Sequence, residues 1–337
     1  MKTKRQIDRQ RESAITLKVG GKEDNSSIRE FVSTSSALYT ITELAVYAVR
    51  LADDIDPERS NPNIPNLSQK VVPAGYGDEV VGRVILTAKS LFDEKNATVG
   101  RQIGGYFEAT IELANHILEL RGMIGSLRQE ISAKEQGFVE EQQQIHSYTI
   151  PSVTDLKTKI HNILVKVDKS KDATLKLYQE VFLPDRSSRP TLEEYDQVFR
   201  EIPNMPTEYI SAWEENRNFW SLVRNIRNCS EHPKKGYQIL ISDFQMHSNG
   251  EVTSPLIEVE HSKTPFGLLP VVEFVQFLED MTLGYAELSH VFIKSVELLD
   301  KKTFNERVSE VPEQNRRHPY VRFYRTIEIG GTERILG

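Results

Sequence analysis

The stretch RNFWSLVRNIRNCSEHP, residues 217–233, contains the end of an amphipathic helix and the point at which the pattern of the chain changes. Its apolar residues recur at helical spacing and form one broad face: Phe219, Leu222, Val223, Ile226 and Cys229. Such a face is typical of a helix packed against a core. Because Pro233 disfavours helical geometry at His232, we expect a helix that begins near Tyr209 and loosens at His232.

Segments before this stretch have mostly helical spacing, whereas segments after it alternate between apolar and polar residues. Helices are expected over residues 35–56, 79–95, 103–147, 152–182 and 192–202, with a proline-rich loop at 56–78. The later pattern predicts a β-hairpin at 237–261 around the turn HSNG, a helix within 264–300 that starts at Pro270, and a strand at 320–329 that can join the hairpin.

These patterns predict a mainly α protein, a helical bundle with a small antiparallel β-hairpin or sheet inserted after the helix of the opening stretch. The expected domains are an N-terminal helical region at 1–98, which includes the loop at 56–78, and a helical bundle at 99–310, which includes the hairpin. Residues 311–337 are expected to form a C-terminal strand or tail.

Composition limits the class of protein. The 337 residues are 38% hydrophobic and 27% charged, enough apolar content for a folded core. A net charge of −7 argues against a protein that coats nucleic acid non-specifically, although a local basic site is compatible with it. The single cysteine excludes an internal disulfide framework and a cysteine-rich zinc site. The charged N-terminal segment lacks the apolar core of a signal peptide, and no apolar run reaches the roughly 20 residues needed to cross a bilayer, so we expect a cytoplasmic protein without membrane contact.

Most standard catalytic patterns are absent from the sequence, including GxxxxGK[ST], HExxH and GxSxG. The segment RNIRNCSEH, residues 224–232, is the remaining candidate. On a helix, Arg224, Asn228 and His232 form one polar stripe, whereas Arg227 lies at the far border of the apolar face. The negative end of the helix dipole favours a charged histidine, which would let His232 exchange a proton near neutral pH.

The segment RNCSEH, Arg227–His232, resembles the RNxxxH motif of the HEPN superfamily of helical-bundle domains, many of which are metal-independent endoribonucleases. The resemblance implies that His232 is the general acid or base, that Arg227 holds the scissile phosphate and that Asn228 orients the site. It implies cleavage of RNA to a 2′,3′-cyclic phosphate without a cofactor or metal, at a composite site formed by two copies of the motif. A homodimer, or a partner protein that supplies the second half, would follow, with a role as a toxin or anti-phage defence effector.

Further residues near the motif are candidates for substrate binding, namely Arg224, Lys234 and Lys235. Other roles remain open for several residues. Arg227 can form an ordinary i,i+4 ion pair with Glu231, and His232 can simply cap the helix. Cys229 is expected in the core rather than as a nucleophile paired with His232. The alternative function is a non-catalytic, HEPN-like scaffold that dimerises or binds nucleotide or RNA.

Overall fold

A computed structural model describes residues 6–8, 19–20, 22, 24–34, 37–92, 103–142, 149–300, 306–329 and 331–336. The chain divides into two compact units. Unit 1 comprises Met1–Ala114 with Thr303–Gly337, and unit 2 comprises Asn115–Lys302. Of the described residues, 52% are helical and 21% are in strands, arranged in four sheets. The predicted mainly α class is therefore wrong, because sheets account for much of unit 1 and extend the hairpin of unit 2.

Unit 1 contains a four-stranded antiparallel sheet in the order β1-β2-β3-β4. Its strands are β1 (Ile28–Ser33), β2 (Leu38–Thr42), β3 (Val46–Arg50) and β4 (Leu67–Val72), and the short helix α1 (Ala52–Ile55) follows β3. The helix predicted over 35–56 is thus wrong, since most of that segment forms β2 and β3. The predicted loop at 56–78 contains β4.

A tight turn between two short strands explains why the apolar residues of this segment have the spacing of a helix. Thr42 closes the turn between β2 and β3, where its backbone N–H donates to the Ala45 carbonyl at 2.9 Å. Consecutive residues of β2, such as Thr40 and Ile41, are both fully buried. Because the turn between β2 and β3 is short, Leu38, Ile41 and Ala48, spaced by three and seven residues, fit one helical period although they belong to two strands.

The rest of unit 1 combines a helix with a second sheet. A π-helical turn, Val81–Leu86, leads directly into α2 (Thr87–Phe92), which packs against β11 (Phe323–Ile329). Strand β11 lies between β10 (Glu306–Glu310) and β12 (Thr332–Ile335). The helix predicted at 79–95 is confirmed up to residue 92, and residues 93–95 lie outside the described ones. The strand predicted at 320–329 is confirmed, but its partners are β10 and β12 rather than the hairpin.

The long helices were predicted correctly. They are α3 (Ile103–Gln142), whose residues up to Ala114 are counted in unit 1, α4 (Leu156–Phe182), α5 (Leu192–Glu201), α6 (Thr207–Glu231) and α7 (Val271–Asp300). Residues 143–147, the predicted end of α3, lie outside the described residues. No described helix combines the length and apolar character needed to span a membrane.

An aromatic cluster joins four of these helices in unit 2. Its centre is Tyr178 on α4, whose ring meets that of Trp213 on α6 edge-on at 5.4 Å between centroids. The other members are Phe182, Tyr195, Phe199 and Phe292. The buried Tyr178 hydroxyl donates to Ser289 on α7 at 3.1 Å. The cluster therefore fixes α6, the helix that carries the motif, against α4 and α7.

The predicted hairpin is present in unit 2 and gains a third strand. Strand β5 (Tyr237–Ser242) pairs with β8 (Leu256–His261), and β6 (Gln245–Met246) pairs with β7 (Val252–Thr253) towards the turn. Strand β9 (Phe266–Pro270) adds to β8, and α7 begins directly after Pro270, as predicted. Helix α6 contacts both β5 and β8. The open end of the hairpin therefore lies next to the end of α6.

The π-helical turn of unit 1 packs closely against the segment NRRHPY, residues 315–320. A Cβ atom added to Gly82 would lie 2.5 Å from Tyr320 Cβ and 2.9 Å from His318 Cε1. His318 is buried, and its Nε2–H donates to the Tyr76 carbonyl at 2.7 Å. His318 therefore anchors this otherwise largely exposed segment in unit 1.

We predict that Gly82→Ala lowers the free energy of unfolding of unit 1 by about 1–3 kcal/mol, because the added methyl group has no space. Chemical denaturation measures the effect. Gly77→Ala in the same unit is the matched control, since nothing lies within 4 Å of its added Cβ. Equal stability of the two variants would contradict the close packing at Gly82.

Candidate functional site

The end of α6 positions the histidine of the RNCSEH motif. Helical geometry stops at Glu231, and His232 has φ −132° and ψ 60°. The His232 backbone N–H still donates to the Asn228 carbonyl at 2.9 Å. Pro233 has no N–H and sterically disfavours helix at the preceding residue. The helix therefore ends where the sequence predicts, and the imidazole of His232 belongs to an exposed, non-helical residue.

The predicted polar stripe lies exposed on α6. Arg224, Asn228 and His232 are all exposed, as their spacing of four residues implies. Within the part of the chain that the structure describes, the side chains of Arg224 and His232 form no hydrogen bond or ion pair. Both side chains are therefore accessible to a ligand.

Arg227 lies on the other side of α6 and is engaged by two carboxylates. Its guanidinium donates to Asp168 on α4 at 2.6 Å and to Glu231 at 2.9 Å, and the side chain is 33% exposed. The expected i,i+4 contact with Glu231 is thus present, together with a contact between helices. Lys171 also binds Asp168. The positive charge of Arg227 is therefore compensated within the protein.

The charges around Asp168 determine its protonation. Burial alone would raise the pKa of this carboxyl group, but the hydrogen bond and charge of Lys171, together with those of Arg227, lower it below its ordinary value of 3.8. Asp168 is therefore ionised at neutral pH, and its negative charge ties α4 to α6.

A groove of about 340 Å³ lies beside the end of α6. It is lined by Asn225, Asn228, Cys229, His232, Lys234, Tyr237 and His261. This volume falls within the range of roughly 300 to 1,000 Å³ that is usual for small-ligand sites. Three sequence-predicted residues, Asn228, His232 and Lys234, meet here, whereas Arg224, Arg227 and Lys235 are not among the lining residues.

A tight turn after α6 builds one wall of the groove. Lys234 and Tyr237 exchange two backbone hydrogen bonds, of 2.9 and 2.8 Å. Gly236 within this turn has φ +75°, a left-handed conformation that glycine adopts without strain. Tyr237 also pairs with His261 in the ladder of β5 and β8. The backbone thereby brings the last residue of β8 close to the end of α6.

Side-chain contacts at this wall centre on the Tyr237 ring. The Lys234 ammonium lies 4.9 Å from the ring centroid, within cation–π distance. The His261 ring meets the Tyr237 ring edge-on, with 5.0 Å between centroids and an angle of 83°. The Tyr237 hydroxyl hydrogen-bonds to Ser262 at 2.7 Å. Tyr237 therefore holds a cation and an imidazole around one rigid ring.

His261, like Asn225 and Tyr237, is a lining residue that the sequence did not single out. It lies at the end of a strand in which Ile257 and Val259, four and two residues earlier, are buried. Side chains two residues apart share one face of a strand. The pattern Ile-x-Val-x-His therefore indicated that the side chain of His261 lies on the same face of β8 as the two buried residues. Its proximity to His232, however, depends on the turn at Gly236.

Two other motif residues have structural contacts. Cys229 is buried, its thiol donates to the Glu260 carbonyl at 3.8 Å, and burial raises the pKa of the thiol. A reactive thiolate is thus disfavoured, in line with the expected core role. Ser230 contacts His161 Nδ1 on α4 at 3.0 Å, on the side of α6 where Arg227 lies. Among the described residues, no group of three or more His, Cys, Asp or Glu side chains is arranged to hold a metal ion.

We predict that Arg227→Ala lowers the free energy of unfolding by about 1–3 kcal/mol, because it leaves Asp168 with one of its two cations. The range is below that of a fully buried pair since Arg227 is one-third exposed. Arg224→Ala is the matched control on the same helix, with an expected effect within about 0.5 kcal/mol. Urea denaturation compares the two variants, and an equal effect would contradict a structural role for Arg227.

A second prediction concerns pH. Because the pKa of Asp168 is lowered in the folded protein, its stabilising effect is complete above the ordinary value of 3.8 and disappears as pH falls through the folded value. Asp168→Asn should therefore be less stable than the wild type at pH 7, and the difference should shrink below pH 3.8. Unfolding measured across this pH range tests the effect. A difference that grows with acidity would contradict it.

No protein-family model matches this chain, and no curated protein or solved structure matches it either. A function for the protein therefore rests on the chemistry of its own residues and on the motif resemblance at the end of α6.

Proposed function

We propose that the protein is a metal-independent endoribonuclease and that His232 is its general base. The observation that supports this proposal best is the groove at the end of α6. There the exposed His232, whose side chain forms no hydrogen bond among the described residues, lies with Asn228, Lys234 and a second histidine, His261. Such a set supplies a proton acceptor, a cation and hydrogen-bond donors, which are the groups that phosphodiester cleavage by a ribose hydroxyl requires.

The reaction would proceed by internal transfer of the phosphodiester. His232 takes the proton of the 2′-hydroxyl, the 2′-oxygen forms a bond to phosphorus, and the bond from phosphorus to the 5′-oxygen breaks. The leaving 5′-oxygen receives a proton from the protonated His232 of a second copy, whose motif completes the site. Lys234 and Asn228 stabilise the negative charge on the phosphoryl oxygens. The products are a 2′,3′-cyclic phosphate and a 5′-hydroxyl end.

Arg227 has a different role in this proposal from the one the motif resemblance implies. Its guanidinium is bound by Asp168 and Glu231, so a phosphate would compete with two carboxylates for it. We therefore assign Arg227 a positioning role, in which it fixes the end of α6 against α4. Because these two carboxylates occupy Arg227, they also favour a second candidate function. In this alternative the protein is not catalytic and binds RNA or nucleotide through the groove.

Incubation of RNA with wild-type protein in EDTA tests the catalytic proposal. We expect cleavage by the wild type, at least a hundred-fold slower cleavage by His232→Ala, as is typical for loss of a general base, and normal cleavage by His247→Ala. His247 is an exposed histidine in the hairpin turn and serves as the matched control. RNA methylated at the 2′-oxygen should stay intact, because its nucleophile is blocked.

The end groups and the concentration dependence complete this test. Cleavage should leave 2′,3′-cyclic phosphates, and its specific rate should fall on dilution if two copies form the site. Uncut RNA with folded wild-type protein would reject catalysis and leave the binding candidate. Equal cleavage by the wild type and His232→Ala would show that another group, or a contaminant, cuts the RNA.

A further inference from the structure

The second histidine of the groove has a fixed protonation pattern. His261 Nδ1 accepts hydrogen bonds from the backbone N–H groups of Lys263 and Thr264, both at 3.1 Å. The Thr264 hydroxyl contacts the same nitrogen at 2.9 Å. A ring nitrogen that accepts from backbone N–H groups carries no proton itself, so the proton of the neutral imidazole lies on Nε2. The turn after β8 therefore holds His261 as a hydrogen-bond donor through Nε2.

The surroundings of His261 also favour an anion. Lys234 lines the same groove, and among the described residues it forms no salt bridge. The nearest acid along the strand, Glu260, points to the opposite side of β8, where it accepts a hydrogen bond from Gln238 at 2.9 Å. A neutral N–H donor, an ammonium group and the Asn228 amide thus line one groove.

We propose that His261 is a phosphate-binding residue of this groove and that it acts with Lys234 on a phosphodiester of RNA. The substrate class rests on the proposed function, whereas the anion site rests on the groove itself. His261 and Lys234 take the phosphate-holding role that the motif resemblance gives to Arg227. Because Nδ1 of His261 is occupied by backbone donors, His261 donates a hydrogen bond to a non-bridging oxygen and transfers no proton. His232 remains free for proton transfer.

Binding of an RNA that cannot be cleaved tests this role separately from catalysis. The probe is a fluorescent oligouridylate methylated at every 2′-oxygen, measured by fluorescence anisotropy at low salt. We expect His261→Phe to weaken binding at least ten-fold, since it retains a ring against Tyr237 but removes the Nε2–H donor. His261→Gln should recover part of the affinity, because its amide can donate from a similar position. A purely structural role for the ring would give the opposite order.

Controls separate local from general effects. His247→Phe is the matched control for the aromatic substitution, and Lys134→Ala in α3 is the matched control for Lys234→Ala, because both lysines are exposed and carry the same charge. We expect Lys234→Ala to weaken binding about ten-fold and both controls to bind like the wild type. Thermal unfolding checks that each variant is folded.

The outcomes distinguish this inference from the proposed function. If the wild type binds the methylated RNA and His261→Phe does not, the inference holds even when unmodified RNA stays uncut, and only catalysis is rejected. If the wild type cuts RNA while folded His261→Phe binds the methylated probe with wild-type affinity, the inference is overturned and catalysis stands. Absence of binding by the wild type also overturns it.

Discussion

The backbone pairing of Lys234 with Tyr237 is the constraint on which the candidate site depends. Pro233 ends α6, and the two hydrogen bonds between these residues reverse the chain at once into β5. Without this reversal, His232 would lie at a helix end and His261 at the end of a distant strand. The pairing places both imidazoles on one groove and leaves no room for a long connection between helix and sheet.

The same helix end separates two chemically different sides. On one side, Arg227 and Ser230 contact Asp168 and His161 of α4, so their polar groups are engaged within the fold. On the other side, Asn228 and His232 face the groove, where the cation of Lys234 has no acidic partner among the described residues. The side of α6 on which charges are compensated within the protein is therefore structural. The side with uncompensated hydrogen-bond donors can bind an anion.

Helix periodicity predicted unit 2 well and unit 1 poorly, for a physical reason. Long amphipathic helices such as α4 and α6 repeat their apolar residues over many turns, which fixes both their existence and their approximate ends. In the segment 35–56, Leu38 and Ile41 of β2 and Ala48 of β3 are spaced by three and seven residues, so apolar residues of two strands fit one helical period. The exposed stripe of Arg224, Asn228 and His232 followed from spacing alone. The ion pair of Arg227 with Asp168 and the proximity of His261 to His232 did not follow from spacing, because each contact joins residues that are distant in sequence.

The most direct test of the groove is the ¹H–¹⁵N spectrum of the histidine side chains during titration with a 2′-deoxy dinucleotide, which has a phosphodiester but cannot react. The groove predicts that the ring signals of His232 and His261 shift together and saturate at one concentration, while those of His247 stay in place. It also predicts that free His261 has its proton on Nε2. Unchanged His232 and His261 signals at high dinucleotide concentration would contradict an RNA site at the end of α6.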